Sequence, residues 1–583
     1  MTMTETRPAK GESDPSPAAP ASPVGQAVVD SSDHKVLGLV LIGVSLVLFL
    51  VVRAVGPALG AELLSAGSQV VGGNSRRLYS LHETGIVLLW AGPVWLGLAT
   101  YLLPLQIGSP RLAFPRVQAL AVWVHVGGAL LFLAGHLIDP PPGIGLTGRE
   151  PLQAPVGGIN DGTNLILASF MLLGLATLLA AGNLLTTALT MRTEGMSLGR
   201  MPLFSWGVLA AAAGSLFATP VFLASSFLLY LDLHFGGTNL FADSRGADLV
   251  WQKGLWLYGR PEALLLLVPA LGAACDIVVT AARKPLGAPP PPPIPHGLKA
   301  KLPPLPGLVT PLHGHVLAAG ALFAAATFSL LAWVQDRRTL DALILPTATV
   351  ATSLFAAAAG LLVLLWLGTL REAKGSVRPS LALAFVGAAV LLGVAAALNS
   401  LVAALVGVHG SELGQGMIEL VTFGVPTILA FGALHHWAPK LFGVPLSSTA
   451  GGPALLASLG GTLALGIGQS IAGYAGADAH AKEAAGDERI GFAIAQAGHV
   501  LLLLAGILMA LDVARAIAAR RHRRPDAADL SEGLTLEWAA PSPPPAENFT
   551  ELPEVRSEAP LAGMAKAKVA AKPGRQASNR KDR

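Results

Sequence analysis

Long apolar segments alternate with short polar ones along most of the chain, starting near Lys35. Twelve of them are long enough to cross a bilayer about 30 Å thick at about 1.5 Å per residue. They lie near residues 35–58, 79–105, 116–138, 161–190, 203–233, 250–280, 312–334, 341–369, 380–404, 414–437, 452–476 and 490–518. They are too continuously apolar for barrel strands, and hydrocarbon leaves no backbone group unpaired. The pattern therefore predicts an all-α integral membrane protein, a bundle of about twelve transmembrane helices.

The polar ends of the chain differ in composition from this bundle. Residues 1–33 are rich in Pro, Ala, Ser and acidic side chains, which predicts a disordered N-terminal tail. The bundle is expected over 34–519, and a proline-rich cytoplasmic loop interrupts it at 284–308. Residues 520–583 are polar, basic and proline-bearing, so we predict a disordered C-terminal tail.

Composition and charge narrow the function classes. Hydrophobic residues make up 52% of the 583 positions and charged residues 13%, which excludes a single soluble domain and makes the lipid bilayer the main partner. The formal net charge is +4, but the basic residues lie between and after apolar segments, so no nucleic-acid partner is expected. The single cysteine, Cys275, excludes internal disulfides and cysteine-rich metal sites.

The basic residues predict the orientation of the bundle. Arg520, Arg521, Arg523 and Arg524 directly follow the last apolar segment, and cytoplasmic flanks carry an excess of Lys and Arg. An even number of spans places both ends on one side of the membrane. Both termini are therefore predicted to be cytoplasmic.

Four motifs carry a resemblance to a known family. The chain reads LPLQIGSPRLAFPR from Leu103, EGMSLGRMPLFSW from Glu194, GRPEALLLLVPALG from Gly259 and WAPKLFG from Trp437. In order and spacing these resemble subunit I of the haem-copper oxidases, the cytochrome c oxidase type. The resemblance implies a twelve-helix bundle in a bacterial plasma membrane that holds two haems and a copper ion. It also implies oxygen reduction, proton translocation and other respiratory subunits as partners.

The haem ligands implied by this resemblance are mostly missing. His82 lies where the family has one axial ligand of the low-spin haem. The family's His-Phe-His run in the tenth span corresponds to Met417, Ile418 and Glu419. His82 is thus the single retained haem-ligand position, and we expect it to face Glu419 across a partly collapsed space filled by Leu, Phe and Met side chains.

The copper ligands are replaced as well. The family's Gly-His-Pro-Glu corresponds to Gly259, Arg260, Pro261 and Glu262, so that Glu262 is retained and the histidine is not. The family's paired histidines of the seventh span correspond to Gln335 and Asp336. Five of the six ligand histidines are therefore replaced. Because an unpaired Arg is costly in a membrane helix, we expect an ion pair of Arg260 with Asp336 or Glu262, the alternative being an Arg260 that reaches the outer interface.

Three functions are compatible with this pattern. The first is a cofactor-poor, catalytically degenerate paralogue with a structural or assembly role in the aerobic respiratory chain, binding no copper and no haem. The second is a working terminal oxidase with unusual ligation, in which His82 still holds haem, and the choice between them leaves enzyme activity undecided. The third is a transporter or proton-conducting protein that uses Arg260, Glu262, Asp336 and Glu419 as a polar path.

Overall fold

The chain forms a bundle of membrane-length helices, described by a computed structural model over residues 28–65, 70–71, 75–138, 161–235, 261–286, 314–331, 344–406, 411–477, 484–520 and 533–562. Within these ranges twelve helices are long and apolar enough to cross a membrane, which confirms the predicted fold class. They are α1 His34–Leu64, α2 Arg77–Ile107, α3 Pro115–Ile138, α4 Asp161–Thr190, α5 Leu203–Phe235, α6 Pro261–Ala282, α7 Gly314–Leu331, α8 Ile344–Glu372, α9 Leu381–Val406, α10 Gly416–Phe442, α11 Ser448–Tyr474 and α12 Glu488–Arg520.

Helices α2 and α10 share two irregularities that follow from their sequences. Each contains one π-helical stretch, Ile86–Ala91 in α2 and Glu419–Gly424 in α10. Each also ends on a Pro-x-x-x-Gly sequence, in which Gly108 or Gly443 takes a left-handed φ of 73° and returns its N–H to the proline carbonyl four residues earlier. Because π-helical stretches change the register of a helix and recur at functional sites, a functional site is expected near α2 and α10.

Close helix contacts surround α2 on the side of α1. A Cβ on Gly38 of α1 would lie 2.8 Å from the Gly97 carbonyl oxygen of α2, and a Cβ on Gly97 would lie 2.9 Å from the Gly38 carbonyl oxygen. Only glycine permits two backbones to approach this closely. The pair therefore fixes α1 directly against α2.

Residues 533–562, the C-terminal segment, pack against one end of the bundle, so the prediction of a disordered tail over 520–583 is wrong for this part. The Asn548 amide oxygen accepts hydrogen bonds from His34 Nε2 at 3.1 Å and Lys35 Nζ at 2.9 Å. Lys440 Nζ donates to the Ala540 carbonyl at 2.7 Å, and its ammonium lies 5.3 Å from the Trp538 ring. Polar composition alone indicated disorder, but these polar groups pair with the helix ends and bury Trp538, which is 1% exposed.

Candidate functional site

Four polar side chains from four helices come together where α1, α2, α10 and α12 pack. Arg53 lies on α1, His82 on α2, Glu419 at the start of the π-helical stretch of α10, and His499 on α12. Each of the first three is at least 94% buried, and His499 has no hydrogen-bond partner for its buried Nδ1. We call these four residues the polar cluster.

The polar cluster combines one pair of opposite charges with one pair of imidazoles. Glu419 is the carboxylate that attracts the Arg53 guanidinium, whose central carbon lies 5.7 Å from the Phe49 ring centroid. The His82 and His499 rings meet edge to face, with their centroids 5.3 Å apart and an interplanar angle of 82°. Since an isolated guanidinium at membrane depth is costly, Glu419 and the Phe49 ring stabilise Arg53 there.

Several nitrogens of the polar cluster have no hydrogen-bond partner among the residues that the structure describes. They are Arg53 Nε and Nη1, His82 Nε2 and His499 Nδ1. Because a buried polar atom without a partner destabilises the folded protein by about 1 to 3 kcal/mol, such a concentration is unusual in a native core.

An aromatic group fills the bundle next to the polar cluster. The Phe49 ring lies 4.5 Å from Trp90 and 6.0 Å from Phe431, and Trp90 and Phe431 lie 5.7 Å apart, centroid to centroid. Trp90 Nε1 donates to Thr427 Oγ1 at 3.0 Å. The three rings join α1, α2 and α10 through one packed and hydrogen-bonded contact.

Glycine brings α12 close to α1 at the same level. A Cβ on Gly56 of α1 would lie 2.5 Å from His499 Nδ1, so the imidazole occupies the space above a bare backbone. On α2 a Cβ on Gly85 would lie 2.7 Å from Val52 Cγ2. The helices thus close around the polar cluster rather than standing apart.

The structure describes the surroundings of the predicted haem-ligand positions. His82 contacts His499 and Glu419 attracts Arg53, while the expected facing of His82 and Glu419 stays a prediction. Met417 is directed toward α9, where it accepts a hydrogen bond from Ser400 Oγ at 3.5 Å. Phe49 and Trp90 pack beside the cluster, and the expected filling by Leu, Phe and Met side chains stays a prediction.

The predicted polar group at the copper position stays a prediction. Arg260, Gln335 and Asp336 lie outside the described residues, as does the side chain of Glu262, although its backbone opens α6. The expected Arg260 ion pair is therefore retained as a hypothesis.

Sequence reasoning missed Arg53 and His499, and each carried a detectable signal. Arg53 is the charged residue in the middle of the first apolar segment, FLVVRAVG, where a guanidinium requires a partner. His499 lies in the last apolar segment, in QAGHVLLLL. The resemblance directed attention to ligand positions, and neither residue is one of these.

A second buried polar group joins the C-terminal segment to the bundle. Gln106 Nε2 donates to Asp276 Oδ2 at 2.9 Å and to Glu537 Oε1 at 3.1 Å, so one amide connects two carboxyl groups. Trp437 Nε1 also donates to Glu537 Oε1, at 3.2 Å, and Ser205 Oγ donates to Gln106 Oε1 at 2.6 Å. Burial raises the pKa of the Glu537 carboxyl above its usual range.

Comparison with known proteins identifies the family of this chain. The sequence profile described as "Cytochrome C and Quinol oxidase polypeptide I" matches residues 36–289 and 303–524, which include all twelve helices. The chain belongs to this family. The resemblance identified from four short motifs is thereby confirmed over nearly the whole bundle.

The matches to individual relatives extend over almost the full length of both chains. The chain is 30% identical to a "Putative cytochrome c oxidase subunit 1-beta" of Streptomyces avermitilis, over 92% of this chain and 92% of that protein. It is 26% identical to the "Cytochrome c oxidase subunit 1" of Corynebacterium diphtheriae, over 95% and 94% of the two chains. Family membership and a membrane location follow from these matches.

The cofactors of this family can be tested against the residues present. Two imidazoles that ligate one haem iron approach it from opposite faces, so the porphyrin plane separates them. The His82 and His499 rings instead touch edge to face, and the Phe49–Trp90–Phe431 group packs beside them. These two histidines do not fit a haem axial pair. At the positions that the resemblance implies for copper, the sequence has Arg260, Gln335 and Asp336, none of which is the imidazole that a copper site of this kind requires.

Proposed function

We propose that this chain is a cofactor-poor member of the oxidase subunit I family with a structural or assembly role in a respiratory membrane complex. The observation that carries the proposal is the polar cluster: Arg53, Glu419 and His499 surround the one retained ligand position, His82, with a charge pair and an edge-to-face ring contact. Replacement of five of six ligand histidines supports the same function.

The proposed setting is the plasma membrane of a bacterium, with both termini in the cytoplasm. The basic residues after α12 support this orientation, since Lys and Arg concentrate on the cytoplasmic side. The C-terminal segment then covers the cytoplasmic end of the bundle. Other respiratory subunits are the proposed partners, because the relatives are named as subunits of a larger oxidase.

The competing function is a terminal oxidase with unusual ligation. The names of the relatives favour it, as does the presence of two imidazoles at one depth in the bundle. It requires the helices to separate so that a porphyrin can enter between His82 and His499. The absence of imidazole from the copper positions 260, 335 and 336 argues against it.

Two measurements on the intact chain separate these functions. The chain, purified in mild detergent, is expected to show no pyridine-haemochrome bands and no stoichiometric copper by mass spectrometry of metals. In the native host, deletion of its gene is expected to lower the amount of an assembled respiratory complex, and the His82→Ala chain should restore that amount. Haem and copper at one equivalent each, together with failure of His82→Ala to complement, would establish the oxidase instead.

A further inference from the structure

A cavity of about 100 Å³ lies beside α2 and is bordered by α3, α4, α5 and α6. Its wall is largely aliphatic, as at Leu88, Leu173 and Ala212, and the cavity is only partly enclosed. An apolar cavity of about 150 Å³ stays dry and holds a group the size of benzene, so this cavity has room for a small part of a larger molecule. The π-helical stretch of α2 supplies Val87 and Leu88 to this wall, so the irregularity of α2 shapes the cavity.

Two buried polar atoms of the lining have no partner within the described part of the chain. They are Trp95 Nε1 and His125 Nε2, on side chains that are 2% and 4% exposed. The Thr177 hydroxyl, also in the lining, already donates to the Leu173 carbonyl at 2.9 Å. An indole N–H can only donate, so whatever satisfies Trp95 must present an acceptor.

The chemistry of the lining selects the class of ligand. No Asp, Glu, Lys or Arg is among the described residues that border the cavity, so a charged molecule would lose its hydration without compensation. Water is a poor occupant, because an ordered water requires two to four polar partners and most of this wall offers none. An apolar molecule with one neutral acceptor oxygen satisfies both the wall and the two nitrogens.

We propose that this cavity holds the carbonyl end of a neutral amphiphile whose remaining length extends through the open side into the bilayer, with the carbonyl oxygen accepting a hydrogen bond from Trp95 Nε1 and lying beside His125 Nε2. Two membrane components share this chemistry, the acyl ester of a phospholipid and an isoprenoid quinone. The site is separate from the polar cluster and does not depend on whether the chain holds haem or copper.

Photolabelling tests the proposal on the full chain in lipid nanodiscs. Two probes are used separately, a phosphatidylcholine with a diazirine on one acyl chain and a prenylated benzoquinone with a diazirine on its tail. At least one probe should label Leu173 or Ala212 in peptide maps, and the labelling probe identifies the source. Ala212→Trp, which fills the cavity, should abolish that label, whereas Leu364→Trp, at a position that is 67% exposed on α8, should leave it unchanged.

The hydrogen bond is tested by variants that keep the ring shape. Trp95→Phe removes the N–H and should weaken binding of the labelling probe about fivefold in competition with its unlabelled parent. Thermal unfolding checks that Trp95→Phe and Ala212→Trp still fold. Equal labelling in Ala212→Trp and Leu364→Trp, or no label at Leu173 and Ala212 from either probe, would overturn the site. Full affinity in both Trp95→Phe and His125→Phe would overturn the carbonyl assignment.

Discussion

His82 on α2 and His499 on α12 lie edge to face, 5.3 Å apart between ring centroids, at the position that the four-motif resemblance predicts for a haem-ligand histidine. The contact joins helices that are separated by more than four hundred residues in the sequence. Arg53 acts electrostatically on both His82 and Glu419, so His82 takes part in a tertiary contact between several helices.

The Arg53–Glu419 pair should stabilise the bundle mainly because either charge alone is costly. Arg53→Met leaves the Glu419 carboxylate buried without its partner and is expected to lower the free energy of unfolding by about 3 to 5 kcal/mol. Glu419→Gln should lower it by a similar amount, because it leaves the Arg53 guanidinium buried without its carboxylate. The double variant should lose much less than the sum of the two, and thermal unfolding of the four proteins in one detergent measures this coupling.

A second substitution checks that the loss comes from the Arg53 site and not from removing an arginine in general. Arg378→Met also removes an arginine, but this residue lies in the loop between α8 and α9, away from Glu419. It should change the unfolding temperature little. Additive effects of Arg53→Met and Glu419→Gln would contradict the ion pair.

The position of the His499 ring should require a glycine at position 56, because the ring leaves no room for a side chain there. Gly56→Ala places a methyl group 2.5 Å from His499 Nδ1, so the ring or the helix must move, with an expected loss of about 1 to 3 kcal/mol. His499→Ala removes the obstacle, and in that background Gly56→Ala should be neutral or stabilising, since alanine favours helix. Gly43→Ala, at a glycine of the same helix with open space around its Cβ position, is the control.

Docking of the C-terminal segment should weaken as pH rises. Burial raises the pKa of Glu537 in the docked state, so docking binds a proton that the undocked carboxyl, with its ordinary pKa, releases more readily. The protonated Glu537 carboxyl therefore contributes its full stabilisation of docking below the ordinary glutamate pKa. This contribution is lost as pH rises through the raised pKa of Glu537 in the docked state. Hydrogen exchange of the Trp538 and Leu561 amides, which bond to the Thr535 and Leu534 carbonyls, should accelerate beyond the intrinsic increase.

Two glutamine variants separate Glu537 from the rest of the segment. Glu537→Gln stays neutral at every pH and should remove the pH dependence of protection. Glu551→Gln, at an exposed glutamate of the same segment, should retain it. Equal pH dependence in the wild-type chain and Glu537→Gln would show that another group controls docking.

The twelve helices were predictable because hydrocarbon imposes a length and an apolar composition that each segment shows separately. The contact of His82 with His499 could not be predicted, because it depends on how closely α12 approaches α1. That approach depends on Gly56, and a single glycine in an apolar segment rich in glycine does not indicate a helix contact. The docking of residues 533–562 was missed for a related reason. A short polar segment has no internal periodicity, and its order depends on helix ends such as Lys440 that supply partners.

The light absorption of the His82→Ala chain reports whether iron binds this histidine. If His82 is held by the His499 ring and not by iron, His82→Ala should leave the visible spectrum of the purified chain unchanged. It should lower stability by about 1 to 3 kcal/mol, because a buried ring is replaced by a small cavity. His499→Ala should have a similar effect, and the double variant should cost less than the sum, since both single variants break the same contact.

The absorption spectrum distinguishes packing from ligation. If the two histidines only pack against each other, His82→Ala and His499→Ala lower stability but leave the spectrum unchanged. His136→Ala serves as the control, since this buried imidazole on α3 bonds to the Phe132 carbonyl and Ser80 and lies outside the polar cluster. Its loss should alter stability without coupling to His499→Ala. A Soret band in the wild-type chain that disappears in both His82→Ala and His499→Ala, but not in His136→Ala, would show that the two rings separate to hold haem and that the chain is not cofactor-poor.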